Sequence, residues 1–453
     1  MQGLDDRVLM DILERAVGPD RAPVAFDALS LPPSVSLRIN PFKISLLEVT
    51  RSLAVTTVAN EDTATLGTLR GGTGAERSEA SGGAERSEAS EWPLPSGTVP
   101  WNKYGVILPE RPRFILDPLF HAGCYYVQDS SAMVVGHMVR EHLDRFEGLG
   151  RPVRVLDLCA APGGKTTDLA ASLRERFSDG FLLVANEVMR NRASVLFDNV
   201  AIWGDPNVVV TSCDPKAFSR LEGFFDIIVT DVPCSGEGMF RKDPKAVEDW
   251  SPEAVSLCAA RQKRILADVW PTLRQGGMLV YSTCTFEEAE NDANVSWVAA
   301  ELGAEVLDYD YSRLPGVMPT RTGGLLVPGF VQGEGQFVSV LTKTGPTGST
   351  RQGIEVLHPL RNGLEKGSMK GKDLVPSADW ALSIFPPTDL YPAVELDRET
   401  ALRFLHRDGI FIEGQPEGYL IVQFEEHPLG FVKNIGRRWN SLHPQNRRIR
   451  MDV

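Results

Sequence analysis

The chain has little of what an exported, membrane-spanning or metal-stapled protein needs. Its six cysteines, at 124, 159, 213, 234, 258 and 284, show neither CxxC pairs nor Cys/His spacing, so no disulfide framework and no metal are expected. No apolar run approaches the ~20 residues that cross a bilayer. The start, Met1-Gln2-Gly3-Leu4-Asp5-Asp6, lacks the basic and apolar regions of a signal peptide. A cytoplasmic location with reduced thiols is the expectation. Histidine is sparse, and all seven fall outside 143–357. That weighs against a cysteine hydrolase, whose thiol needs a histidine base, although one could still approach through the fold. Basic charge is short as well. A net charge of −13 argues on average against a nucleic-acid partner.

The average conceals an asymmetry. From Phe431 to Val453, Lys433, Arg437, Arg438, Arg447, Arg448 and Arg450 face Asp452 alone, a local balance of +5. Such a patch can contact phosphates even on an acidic protein; on charge alone it reads equally as a solvated tail. A composition of 42% hydrophobic and 24% charged residues is that of a soluble globular protein. At 453 residues the chain exceeds one ordinary core, so two or three domains are expected.

Periodicity divides the chain. Val8 to Val17 has helical spacing, and Ser36-Leu37-Arg38-Ile39-Asn40-Pro41 reads as a short strand ending in a turn. The octet Gly74–Ser81 recurs unchanged as Gly83–Ser90. Its polar composition cannot offset the entropy of ordering, which predicts a flexible insertion at about 70–95. From about 153 to 343, apolar runs at Val153–Cys159, Phe181–Val188, Val208–Thr211, Phe225–Val232, Met278–Thr283 and Phe337–Leu341 are mostly separated by helical stretches, notably Lys165–Arg176, Arg190–Trp203, Pro252–Leu273 and Glu287–Leu302. Strands flanked by helices predict an α/β fold with a parallel sheet covered on both faces. Residues 344–375, rich in Gly, Thr, Ser and Lys, read as a linker. The expected units are 1–150, 151–343 and 376–453.

Sheets of this class bind ligands beyond the carboxyl ends of their strands, where the notable motifs fall. Cys159-Ala160-Ala161-Pro162-Gly163-Gly164-Lys165-Thr166 follows the first strand. It fits the end of a Walker loop but has Cys159 where the first glycine belongs. A turn against an adenosine-type cofactor fits better, with Glu187 at the second strand's end for a ribose and Asp214 after the third for an adenine. A dinucleotide would satisfy the same logic, although GxGxxG is absent. Cys159 reads as lining this site. Two further thiols leave strands at the same rim: Cys234 in Asp231-Val232-Pro233-Cys234-Ser235-Gly236-Glu237-Gly238, and Cys284 in Tyr281-Ser282-Thr283-Cys284-Thr285-Phe286. Pro233 prevents the first strand from continuing its ladder. Cys124, Cys213 and Cys258 read as small hydrophobes. Beside an adenosyl sulfonium, two thiols and Asp231 suggest methyl transfer through a covalent intermediate.

These segments, with Gly123-Cys124-Tyr125-Tyr126-Val127-Gln128-Asp129-Ser130-Ser131-Ala132-Met133, Ser36–Asn40 and Gly430-Phe431-Val432-Lys433, resemble the Sun-type RNA (cytosine-5) methyltransferases, especially bacterial enzymes acting on 16S rRNA. The chain departs from their pattern at Val232, usually Ala, and at Val327-Pro328-Gly329, where a histidine is often found; the repeat insertion is foreign to the family. The departure near 329 could alter an RNA-facing edge. The resemblance implies a Rossmann-like S-adenosylmethionine-dependent core with a mostly parallel seven-stranded sheet, a small N-terminal α+β domain and a C-terminal PUA-like RNA-binding domain. It assigns nucleophilic attack to Cys284 and product release to Cys234; chemistry alone cannot rank the two. Asp231 is expected on the cytosine edge, and Lys165 on that carboxylate or the base. Residues 159–165, Glu187, Asp214 and Asp231 would hold S-adenosylmethionine. Arg38, Lys433, Arg437, Arg438, Arg447 and Arg448 are the candidate RNA contacts. The expected partner is rRNA, within the small subunit or free, with tRNA and a non-catalytic RNA-binding role as alternatives. The protein is read as a monomer.

Overall fold

The computed structural model describes residues 5–45, 48 and 96–451; the repeat at Gly74–Ser90 lies outside them. Helices α1 (Asp6–Val17) and α2 (Ala22–Leu29) precede four short strands, β1 (Val35–Ile39), β2 (Gly97–Val99), β3 (Asn102–Leu108) and β4 (Tyr125–Val127). These strands form an antiparallel sheet in the order β2-β3-β1-β4. Helix α3 (Val134–Arg140) leads into the central unit. There β5 (Val153–Asp157), α4 (Gly164–Phe177), β6 (Phe181–Asn186), α5 (Arg190–Trp203), β7 (Val208–Thr211), β8 (Phe225–Asp231), α6 (Pro252–Val269), β9 (Leu273–Thr283) and α7 (Asp292–Leu302) alternate.

Strands β5 to β9 are parallel neighbours, in the order β9-β8-β5-β6-β7. Their side chains alternate between two cores. Val155, Leu183, Ile227, Val229 and Val280 pack with α3, α4 and α5, whereas Leu156, Val184, Ile228, Leu279 and Tyr281 pack with α6 and α7. Both faces are covered, which is why these strands read as continuous apolar runs. The sheet has ten strands rather than the expected seven. Besides the five parallel strands, the long antiparallel β13 (Gln336–Lys343) pairs with β9, and the other four are marginal strands of two or three residues: β10 (Ala304–Val306), β11 (Met318–Pro319), β12 (Gly324–Leu326) and β14 (Arg361–Asn362). From β7 the chain crosses back to β8 on the other side of β5. This switch of direction opens a crevice beyond the carboxyl ends of β5 and β8.

The stretch 344–375 is more than a linker. Its β14 extends the central sheet by pairing with β7, and β15 (Gly367–Lys370) begins a hairpin with β16 (Asp373–Pro376). The last unit consists of β17 (Ala393–Glu395), α8 (Arg398–His406), β18 (Gly418–Phe424), β19 (His427–Asn434) and β20 (Trp439–Ser441). It shares one core with the N-terminal sheet, where Leu37, Ile39 and Val106 meet Phe404, Leu420 and Val432. Helices α1 and α2 instead pack on the central sheet through Leu9, Leu13 and Ala25. The first 150 residues are therefore divided between two cores. No helix among the described residues is long and apolar enough to cross a membrane.

Candidate active site

The first wall of the crevice is the turn from β5 into α4. Gly163 caps α4 with φ 116°, a left-handed conformation that favours glycine. No side chain caps this helix start, so its first amides are free for a ligand. The turn's carbonyls are drawn back into the protein: Arg192 Nη2 donates to Ala161 O at 2.9 Å and Asn199 Nδ2 to Pro162 O at 2.8 Å. Asp157, fully buried below, accepts from Thr166 Oγ1 at 2.6 Å through Oδ2, while its Oδ1 has no protein partner. Burial pushes this carboxyl up to about 7, with Thr166 and Lys165 opposing the rise. Buried Glu187, at the end of β6, accepts from Met189 N at 3.0 Å and pairs with Arg192 at 3.3 Å. Cys159 is half-exposed at the rim, and burial raises its thiol. Asp214 is exposed and receives Lys216 N at 3.0 Å. An unpartnered buried acceptor, a glycine cradle and a buried carboxylate at a ribose position fit an adenosyl ligand.

The second wall carries the thiols. Parallel register sets Asp231 on β8 beside Ser282 on β9. The residues that follow, Cys234 and Cys284, leave the sheet side by side. Their Sγ atoms are 3.1 Å apart, and Cys284 N lies 3.3 Å from Cys234 Sγ. The bond to Cys284 raises the Cys234 thiol first, and burial adds to it. Asp231 accepts from Lys165 Nζ at 2.7 Å, Ser282 Oγ at 2.8 Å and Gln336 Nε2 at 3.2 Å. Burial works against the charge on Lys165, yet Asp231 and Cys284 outweigh it and its pKa rises. An ammonium, a carboxylate and two thiols thus share one half-exposed rim.

The candidate RNA contacts are not alike. Arg438, Arg437 and Arg448 are exposed, and Lys433 is half-buried with Nζ 5.0 Å from the Tyr419 ring centre. Arg38 is fully buried. Its guanidinium donates to Gln128 Oε1 at 2.9 Å, Thr167 Oγ1 at 2.5 Å and Gly164 O at 3.1 Å. It is a brace for the cofactor turn, not a phosphate contact. Arg447 is also withdrawn, reaching Asp198 Oδ1 on α5 at 2.8 Å and Asp379 Oδ1 at 2.6 Å. Charge counting could not separate these two from their exposed neighbours. Gly329, near the missing histidine, packs on α2: a Cβ there would lie 3.0 Å from Val24 O.

Sequence reasoning also missed Gln336, Ser282, Arg192 and Asn199, together with buried Gln262 and Glu290 behind Cys234. For Gln262 a signal existed. It stands on the same face of α6 as buried Val255, Ile265, Leu266 and Val269, and a polar residue at a core-facing position needs a partner. Gln336 and Arg192 come from elements whose proximity only the folded sheet creates.

Comparison with known proteins agrees with this geometry. Residues 151–339 match the family model of the 16S rRNA methyltransferase RsmB/F, and residues 391–449 match that of the methyltransferase RsmF PUA domain. Ribosomal RNA small subunit methyltransferase F of Pectobacterium atrosepticum is 35% identical over 229 residues, covering 49% of this chain and 45% of that protein. Its namesake in Escherichia coli O7:K1 is 36% identical over 231 residues, covering 49% and 46%. The chain thus spans under half the length of these curated relatives. Among solved structures, a methyltransferase homologue from Pyrococcus horikoshii has a TM-score of 0.53 at 24% identity, covering 74% of this chain and 93% of that one. NSun6 from the same organism, solved with SFG, has a TM-score of 0.51 at 18% identity, covering 74% and 98%. These two show the fold. Residues 151–339 thus carry the RsmB/F methyltransferase domain and residues 391–449 the RsmF PUA domain.

Proposed function

We propose that the protein methylates C5 of cytosine in RNA, with 16S rRNA as the favoured substrate, using S-adenosylmethionine. The 3.1 Å approach of Cys234 Sγ and Cys284 Sγ beside the Lys165–Asp231 pair carries this reading. The names of the curated relatives support the rRNA assignment.

S-adenosylmethionine, when bound, supplies an electrophilic methyl on a positively charged sulfur. The turn Cys159–Lys165 would hold it, with Glu187 toward the ribose and Asp214 toward the adenine. Cytosine C5 is a poor nucleophile on its own. Cys284, as thiolate, adds to C6, and forming that S–C6 bond shifts ring electrons to C5, where the methyl is accepted. Asp231, held by Lys165, Ser282 and Gln336, hydrogen-bonds the cytosine edge during addition. The C5 proton then passes to solvent water, the C5–H electron pair restores the C5=C6 bond, and the S–C6 bond breaks, returning its electron pair to Cys284. Cys234, whose Sγ lies 3.1 Å from that of Cys284, assists this release. The base must be extruded or single-stranded to reach these groups. Arg437, Arg438, Arg448 and Lys433 would contact the surrounding RNA.

The test is transfer of labelled methyl from the donor to 16S rRNA, assembled small subunits and tRNA, with the product base identified. Label in 5-methylcytosine of rRNA supports the proposal. Label confined to tRNA moves the substrate, and no label on any RNA removes the reading. Cys234→Ala should accumulate an RNA–protein adduct that survives denaturing gels. An adduct with Cys284→Ala instead would exchange the two roles.

A further inference from the structure

Behind the Cys234 loop lies a polar cluster that the chemistry above leaves unused. Gln262 on α6, Glu290 just before α7, Asn294 on α7 and Tyr281 on β9 are each at most 1% exposed. Polar groups buried this deeply destabilise the fold unless each is partnered. Two of them, Gln262 and Glu290, reach the peptide groups flanking Cys234. Gln262 Nε2 donates to Pro233 O at 3.0 Å and to Glu290 Oε2 at 2.5 Å. The Glu290 carboxylate accepts Ser235 N at 3.3 Å and also the Ser235 hydroxyl. Asn294 Nδ2 donates to Gln262 Oε1 at 2.6 Å, which directs the other end of the Gln262 amide toward the loop. The cluster grips the second thiol's strand as well. Tyr281, three residues before Cys284, donates its hydroxyl to Glu290 O at 2.6 Å.

We propose that Gln262 and Glu290 are positioning residues for Cys234, a buried clamp that holds its sulfur against Cys284 for the release stage. Neither side chain needs to touch RNA or the methyl donor. The clamp fixes the Pro233 carbonyl and the Ser235 amide, so the thiol between them cannot swing away from its partner. Pro233 makes this necessary, because it ends the ladder that would otherwise order the segment. Burial pushes the Glu290 carboxyl up to about 7, with Ser235 and Gln262 opposing the rise and Glu237 adding to it. The release half of the proposal rests on the methyl-transfer reading; the positional half does not.

Two readouts on the full-length protein separate those halves. The first needs no RNA: closure of a Cys234–Cys284 disulfide by diamide, which takes up the two thiol hydrogens, followed by peptide mass. Gln262→Met should slow closure about tenfold or more, within the ~100-fold that misplacement by ~1 Å can cost, and Glu290→Gln, which leaves one acceptor oxygen where two are used, should slow it as well. The second is lifetime of the RNA adduct. Gln262→Met should prolong it as Cys234→Ala does, with first-turnover methyl transfer changed by no more than about threefold. If Gln262→Met does not fold, Gln262→Asn, one methylene shorter, carries the same expectation. Wild-type closure rates in the folded variant, or no closure in the wild type itself, would overturn the clamp. So would loss of donor binding and first-turnover transfer together, which marks a merely structural role. If closure slows but Cys234→Ala leaves no adduct, the clamp stands and the release role of Cys234 falls.

Discussion

The sheet rim and the C-terminal junction both concentrate charge, and they use it in opposite ways. At the rim, Lys165 and Asp231 pair at 2.7 Å yet stay half-exposed, with side-chain accessibilities of 15% and 28%. Their partners fix them from behind and leave a face open to a substrate. At the junction, Arg447 is 7% exposed and its guanidinium is paired with Asp198 and Asp379, the latter also held by Arg361. One arrangement keeps charge available; the other consumes it to fasten the last unit to α5. Asp198 lies next to Asn199, whose amide holds Pro162 in the cofactor turn. The docking contact and the cofactor site therefore share one helix.

The sharpest way to break the contrast is at the rim. Cys284→Ala should reduce methyl transfer to RNA by about a thousandfold or more, as loss of a covalent nucleophile does. Donor binding and thermal stability should stay close to wild type, because a half-exposed thiol carries little packing. Calorimetry and labelled transfer on one preparation check both halves. A stable variant that retains transfer would mean the rim is arranged for something else.

At the junction the expected loss is of stability. Arg447→Met removes a buried cation and strands Asp198 and part of Asp379, which should cost on the order of 3 kcal/mol. Denaturant unfolding measures it, and proteolysis should release the last unit from the core. An unchanged midpoint would show that the shared core of Leu37, Ile39, Phe404 and Val432 suffices to hold the unit.

What could be read in advance follows the same division. The sheet, the turn at 159–166 and the two thiols were legible because strand-end positions follow from backbone periodicity, and the parallel pairing of β8 with β9 brings the segments carrying Cys234 and Cys284 to the same rim. Arg38 and Arg447 were not legible as braces. A basic residue in a basic segment carries no mark of the acid that will neutralise it, and Asp168, Asp198 and Asp379 come from distant parts of the chain. The small strand Arg361–Asn362 was hidden likewise, since two residues have no periodicity to detect and only the open edge of β7 recruits them.

The exposed arginines sharpen the comparison from the other side. Replacing Arg437, Arg438 and Arg448 with Ser should leave stability within about 0.5 kcal/mol, as is usual for surface positions. It should flatten the salt dependence of RNA binding by ~0.7 in log–log slope for each single-strand phosphate that is no longer neutralised. Filter binding across a salt series reads the slope. A flat wild-type response would remove these residues from the RNA interface.

The smallest effect belongs to Asp157, the buried carboxyl beneath the turn. Its pKa rises from 3.8 to about 7 in the folded protein, chiefly by burial, with Asp231 and Glu187 adding to the rise and Thr166 and Lys165 opposing it. Between those values the folded state holds a proton that the unfolded state has released. Stability from this group is therefore lost as pH climbs through that window, and is fully present only below it. Asp157→Asn keeps the shape and an acceptor for Thr166 but cannot ionise. Its melting temperature relative to wild type should rise steadily from pH 5 to pH 8, read as a difference so that other titrating groups cancel. Bound donor should narrow the gap if the unpartnered Oδ1 finds its hydrogen bond there. A gap independent of pH would mean that the carboxyl is already ionised beneath the turn, paired with Lys165 across the crevice in the same manner as Asp231.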